Sequence, residues 1–312
     1  LKENSKIKKK LKLSISSSEI YAFSILGIYT FLAIFFFELV AYSYWLIFLN
    51  ISLVSLIIGV NYYYKIIKPD SKYKILAQVI YAPIIYICYL QVQSYIKVLN
   101  PNDFDWLLIK ADFWLFGLNP TQSLKQISYP VLTEYLQFAY VTFFFMPLIH
   151  AVELYKKNKE KEIKEFTSMM TFAFYLSFLA YFMLPAIGPR FTLHDFAKTS
   201  FELPGVLITE YLREFVNSGG GVPPGVSKPE LFVNRDCFPS GHTMMTLLNI
   251  ILAFRYNTKI RYVILVIGCS LIFSTIYLRY HYVIDVIFGI VFCFVVILIE
   301  PPIRKWISRI NN

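Results

Sequence analysis

Apolar runs of about 20 residues recur along the whole chain, and no other feature of the sequence restricts its fold so severely. Wound as a helix, a run of that length matches the ~30 Å hydrocarbon core of a bilayer. Inside that core every backbone polar group must find a partner, which leaves helices or a closed barrel. Continuous rather than alternating runs select the helix. Eight spans are expected, at about residues 20–40, 44–64, 75–97, 132–154, 167–187, 240–255, 261–279 and 282–300. Composition agrees, with 57% hydrophobic and 16% charged residues, against about 25% charged in a soluble domain. The expected fold is all-α: a polytopic membrane helix bundle of about eight transmembrane helices with an interfacial helix on its outer face.

The net charge of +10 does not imply nucleic acid, because the basic residues sit in short segments between apolar runs. With the N-terminus placed in the cytoplasm, 21 of the 30 Lys and Arg fall on that side. The positive-inside rule then puts both termini in the cytoplasm and the 98–131 and 188–239 segments outside. The Lys-rich start, Leu1 to Lys12, has no small-residue cleavage site after it, so the first helix is expected to be retained. Cys88, Cys269 and Cys293 lie in apolar runs and Cys237 in a loop, with no Cys or His cluster at short spacing. Neither a disulfide framework nor a metal site is expected.

The outer segments hold the irregular residues. Asn102 to Gly117 interleaves Trp106, Phe113 and Trp114 with Asp103, Asp105 and Asp112, the pattern of an amphipathic helix in the headgroup layer. Asn217 to Pro229, rich in Gly and Pro, reads as a mobile loop able to cover a site.

Three strings carry chemistry, and all map to the same outer face: Pro185 to Arg190, Phe238 to Thr243, and Tyr277 to Asp285. His281 and Asp285 are four apart, so on a helix they share a face. A carboxylate there accepts the proton of one ring nitrogen and frees the other as a nucleophile. Pro239-Ser240 reads as a helix start, where the N–H groups of Ser240 and Gly241 offer an anion site. His242 beside them is a candidate proton donor. Arg190 and Arg279 are candidate grips for phosphate oxygens. The plainer alternatives are a hydrogen-bonded His–Asp core pair, a helix cap, and arginines snorkelling to headgroups. His150 is expected at the cytoplasmic interface and His194 in solvent, while Glu134 and Gln137 either contact an acceptor hydroxyl or cap their helix.

Pro239-Ser240-Gly241-His242 and His281-x3-Asp285 resemble motifs of the type 2 phosphatidic acid phosphatase superfamily, over the chain from the fourth span onward. Departures are Met183 for the consensus Lys, Phe191 for Pro, and Thr275 for the Arg six residues before His281. Arg279, in Tyr-Leu-Arg-Tyr-His-Tyr, and the three N-terminal spans look like the inositol phosphorylceramide synthase-like branch. The chain reads as one structural unit with two parts: 1–131, a cytoplasmic tail, three spans and the amphipathic segment, and 132–312, a phosphatidic acid phosphatase-like core. The resemblance implies phosphoryl chemistry through a phosphohistidine without cofactor or metal. His281 would attack, Asp285 orient it, and His242 act as acid and base. Arg190, Arg279, Ser240 and Gly241 would hold phosphate. A membrane phospholipid is the implied substrate, with a second lipid as acceptor, in a bacterial cytoplasmic membrane. A phosphatidic acid or isoprenyl diphosphate phosphatase is the alternative; a lipid transporter or scramblase is the alternative of another class.

Overall fold

A computed structural model describes residues 15–68 and 75–310 as helices and connecting turns, with no strand among them. The Lys-rich start, residues 69–74 of the first basic loop and the last two residues lie outside the described residues. Eleven helices of eight or more residues organise the rest: α1 Ser17–Phe35, α2 Ser43–Tyr62, α3 Tyr81–Leu99, α4 Asp105–Phe116, α5 Pro130–Val141, α6 Met146–Lys156, α7 Glu160–Ala180, α8 Thr209–Gly219, α9 Gly241–Arg255, α10 Arg261–Tyr277 and α11 Val283–Ile310.

Four helical stretches are long and apolar enough to cross a bilayer: Ser17–Phe35, Ser43–Ile67, Leu76–Leu99 and Val283–Ile310. A fifth candidate joins α5 and α6, which meet at 55°. The expected fifth, sixth and seventh spans are helices too, but α9 has 15 residues and α10 has 17. At 1.5 Å per residue, α9 reaches only about 22 Å. The structure is thus a helical integral membrane protein with four or five evident spans. Outward residues such as Trp45, Phe48, Ile51, Val266 and Leu298 are more than half exposed, as acyl chains as solvent would permit.

The chain forms two compact units. The first comprises Leu1–Leu99, Lys157–Leu176 and Val296–Asn312. Within it Ser16 and Glu19 form a capping box that starts α1, and Glu19 also holds Lys65 at 2.5 Å. Glu300 is fully buried there and accepts from Ser168 and Arg304.

The second unit comprises Asn100–Lys156 and Ser177–Val295 and contains all the motifs. In it α10 packs between α9 and α5. His150, expected at an interface, is instead fully buried and bonds Asn249 at 2.6 Å. A buried imidazole needs such a partner, because an unmade hydrogen bond in an apolar core costs about 1–3 kcal/mol.

Helix α4 corrects the expectation for its acidic residues. Trp114 is 82% exposed, as an interfacial helix requires, but Asp105 and Asp112 are 5% and 1% exposed. They turn inward. Asp105 accepts from the backbone of Ile187 and Gly188 and from the Tyr282 hydroxyl, at 2.8–3.0 Å. Asp112 accepts from the amides of Val283 and Ile284 and so caps α11. Asp103 pairs with Arg235 at 2.9 Å.

Candidate active site

The site is assembled where α9 and α11 begin. Ser240 is the N-cap of α9, its Oγ accepting from the Thr243 amide at 3.2 Å. Its own amide donates to the Asp285 carbonyl at 3.1 Å. That bond ties the two motifs together, and it withdraws the Ser240 N–H from the anion-binding role expected of it. The amides of Gly241 and His242, in the first turn, have no intrahelical acceptor and keep that capacity. Gly289, one turn after Asp285, makes the close approach possible. A Cβ there would lie 2.7 Å from the Ser240 carbonyl oxygen and 2.9 Å from the Thr243 Cβ.

His281 Nδ1 lies 3.5 Å from Asp285 Oδ2, but His281 sits in the turn ahead of α11 rather than on the shared helix face that the spacing implied. The shorter bond of Nδ1 runs to the Cys237 carbonyl, at 2.8 Å. A carbonyl only accepts, so Nδ1 carries a proton and the lone pair of a neutral His281 sits on Nε2. Asp285 is fully buried. Its Oδ2 accepts from the Tyr282 amide at 2.9 Å and from the Cys237 thiol at 3.0 Å. Burial, followed by the Asp285 charge, pushes the Cys237 thiol well above its ordinary value, so it stays a neutral donor. Cys237 therefore touches both members of the pair, a role with no signal in the sequence beyond its place just before Phe238.

The His242 ring lies 5.7 Å from the His281 ring, centroid to centroid. It is held by Tyr140, stacked at 4.6 Å, and Phe143, at 4.3 Å. Tyr140 in turn stacks on Tyr280 at 4.3 Å, and the Arg190 guanidinium covers Tyr280 at 4.8 Å. A continuous stack thus runs from Arg190 through two tyrosines to His242. Arg190 is 7% exposed, and its Nη1 donates to Asn217 Oδ1 at 2.6 Å. Asn217, Ser218 and Gly219 close helix α8, where the sequence implied a loop. The turn leading to Arg190 needs Gly188, whose φ is +95° and whose added Cβ would meet the Tyr280 carbonyl oxygen at 2.9 Å.

Arg279 is only partly paired. Its guanidinium is 1% exposed and gives Nη1 to Glu202 at 2.6 Å, while Nε and Nη2 have no protein partner. Lys125 shares Glu202 at 2.7 Å. Lys125 and then Arg279 hold the Glu202 carboxyl down to about 2. His194, expected in solvent, donates to or accepts from Thr121 at 3.1 Å; burial, then the Arg279 charge, lowers it to about 4. The Arg279 carbonyl accepts from the Arg190 amide at 3.1 Å. Glu134 settles as a cap, taking the amides of Val206 to Thr209 and the Thr209 hydroxyl ahead of α8. Gln137 is fully buried, with Nε2 3.4 Å from the Tyr280 hydroxyl and Oε1 unpartnered.

Two histidines, a buried carboxylate and a stacked arginine thus gather around helix-start amides. Residues 106–299, more than half of the chain, match the PAP2 superfamily, and the chain belongs to that superfamily. Membership supports a phosphatase-type enzyme acting on a phosphoester. No curated protein and no solved structure matches the chain.

Proposed function

We propose that the protein is a lipid phosphatase/phosphotransferase that works through a phosphohistidine on His281 and passes a headgroup phosphate to a lipid hydroxyl, in the manner of inositol phosphorylceramide synthases. The observation that carries this reading is the fixed tautomer of His281: the Cys237 carbonyl holds the Nδ1 proton, and Nε2 is left as the nucleophile beside His242.

In the first step Nε2 attacks phosphorus and the bond to the leaving oxygen breaks. His242 gives that oxygen its proton. The imidazolium formed at His281 is stabilised by Asp285 and the Cys237 carbonyl. In the second step the neutral His242 takes the proton of the acceptor hydroxyl, whose oxygen attacks phosphorus and releases Nε2. Arg190 and the amides of Gly241 and His242 hold the equatorial oxygens as charge spreads over them. Arg279 gives Nη1 to Glu202, and its unpartnered Nε and Nη2 hold phosphate beside Arg190. With Met183 and Thr275 in place of the consensus Lys and Arg, fewer cations face the phosphate, which suits a singly charged phosphodiester better than a monoester dianion. Gln137 Oε1 supplies an acceptor for the attacking hydroxyl. The reacting face is extracytoplasmic and both termini are cytoplasmic, in a bacterial cytoplasmic membrane.

The test is to supply the purified protein with labelled phosphatidylinositol plus ceramide, with phosphatidic acid alone, and with an isoprenyl diphosphate. Headgroup transfer that requires the second lipid supports the reading. Release of inorganic phosphate from phosphatidic acid, with no exchange when an acceptor is present, replaces transfer by hydrolysis.

A further inference from the structure

Sequence spacing gives no metal-ligand cluster, but folding builds one. Cys237 Sγ, His281 Nδ1 and Asp285 Oδ2 all lie within 4.8 Å of one another. The three separations are 3.0 Å from sulfur to oxygen, 3.7 Å from sulfur to nitrogen and 3.5 Å from nitrogen to oxygen. Around a tetrahedral zinc ion, with bonds of about 2.0 Å to N or O and 2.3 Å to S, ligand atoms stand roughly 3.3–3.8 Å apart. The largest adjustment needed is therefore about half an ångström. All three residues are at most 5% exposed, and Asp285 Oδ1 is buried without a partner.

We propose that Cys237, His281 and Asp285 form an inhibitory site for a borderline-soft divalent cation of the zinc class. The set joins a thiolate, an imidazole and a carboxylate, which suits zinc or cobalt(II) and not magnesium or calcium, whose ligands are oxygens. Binding releases the thiol proton, the Nδ1 proton passes to Nε2, and the sulfur and Nδ1 lone pairs go to the metal. The Cys237 carbonyl loses its bond from Nδ1. With Nδ1 on the metal, Nε2 carries the ring proton and has no lone pair to offer phosphorus, so turnover stops. Because the ligands are buried, inhibition sets in slowly and reverses slowly on chelation.

The activity arm rests on the phosphohistidine reading; a spectroscopic arm does not. Cobalt(II) is titrated into the purified full-length chain in detergent, and the near-ultraviolet thiolate-to-cobalt charge-transfer band is followed. One equivalent per chain should give the band, and Cys237→Ser should remove it, since Cys88, Cys269 and Cys293 remain in that variant. In turnover assays the zinc concentration for half-inhibition should rise at least tenfold in Cys237→Ser, whatever its basal rate, and excess Mg²⁺ should not inhibit the parent. If the serine variant cannot be purified, Cys237→Ala takes its place, and the parent titration stands alone. A parent titration without the band, a band that survives loss of Cys237, or equal zinc sensitivity in both proteins would overturn the site. The band with no zinc effect on turnover would keep the site and overturn its inhibitory role.

Discussion

Replacing Asp112 by Ala removes a carboxylate 171 residues before the helix it caps. Asp112 accepts from Val283 at 2.9 Å and Ile284 at 2.8 Å, and is 1% exposed. A hydrogen bond to a charged group contributes about 1.5–3 kcal/mol, and losing a helix cap costs about 0.5–2 kcal/mol. These overlap, since the cap is made of those two bonds, and the half-buried amides regain some water. The expected loss is about 2–4 kcal/mol, which in a unit of this size lowers the melting temperature by roughly 5–12 °C. The same two amides precede Asp285 directly, so a frayed first turn moves the carboxylate that orients His281. Turnover should fall by about 10–100-fold, the equivalent of about 1.4–2.7 kcal/mol of transition-state stabilisation. Asp112→Asn keeps one acceptor oxygen and should lose about half of each effect. Thermal unfolding in detergent and initial rates on a lipid phosphoester read both. Parental melting and parental turnover in Asp112→Ala would refute the clamp.

Gly289→Ala puts a methyl 2.7 Å from the Ser240 carbonyl oxygen. It should cost about 1–3 kcal/mol in thermal stability and lower kcat more than it raises KM, because it separates the two motifs; unchanged stability and rate would contradict the close approach. His194, lowered to about 4 from about 6.5, binds its proton more readily unfolded than folded. Its contribution is complete above about pH 6.5 and is lost as pH falls from about 6.5 to about 4, so the melting temperature should decline over that window in the parent and less in His194→Gln. Glu202, lowered to about 2, stabilises above about pH 4.5 and loses that contribution as pH falls from about 4.5 to about 2; Glu202→Gln should flatten this second, lower limb. For orientation, a cysteine placed at Ser227 should react with an impermeant maleimide in intact cells and one at Asn158 should not; reversed labelling would move the reacting face to the cytoplasm.

The central trio was legible because its members are close in sequence or sit at a helix start. His281 and Asp285 meet across the turn into α11, four residues apart, and Ser240 caps α9 as a Pro-Ser-Gly string implies. Arg190 bonds Asn217, which comes from a helix hidden by the glycines that end it. Three features depended on contacts between residues far apart in sequence, or on backbone direction, and periodicity carries neither. The aspartates of α4 looked like a solvated face; only folding shows that Asp105 and Asp112 serve distant backbone amides. Arg279, with φ of +68°, gives one guanidinium nitrogen to Glu202. The Ser240 amide is taken by Asp285, a tertiary bond that no local rule anticipates. The eight apolar runs all become helical, but runs that form helices of 15 and 17 residues cannot be counted as spans on length.

The most direct test of the account is to trap the intermediate. The purified protein is mixed with a phosphorus-labelled lipid phosphoester, quenched within the first turnover in alkali, and digested for peptide mapping. The account predicts a phosphoryl group that is stable to base and labile to acid, carried by the peptide containing His281 and absent from His281→Ala. Label on the peptide containing His242, or equal labelling in His281→Ala, would contradict it.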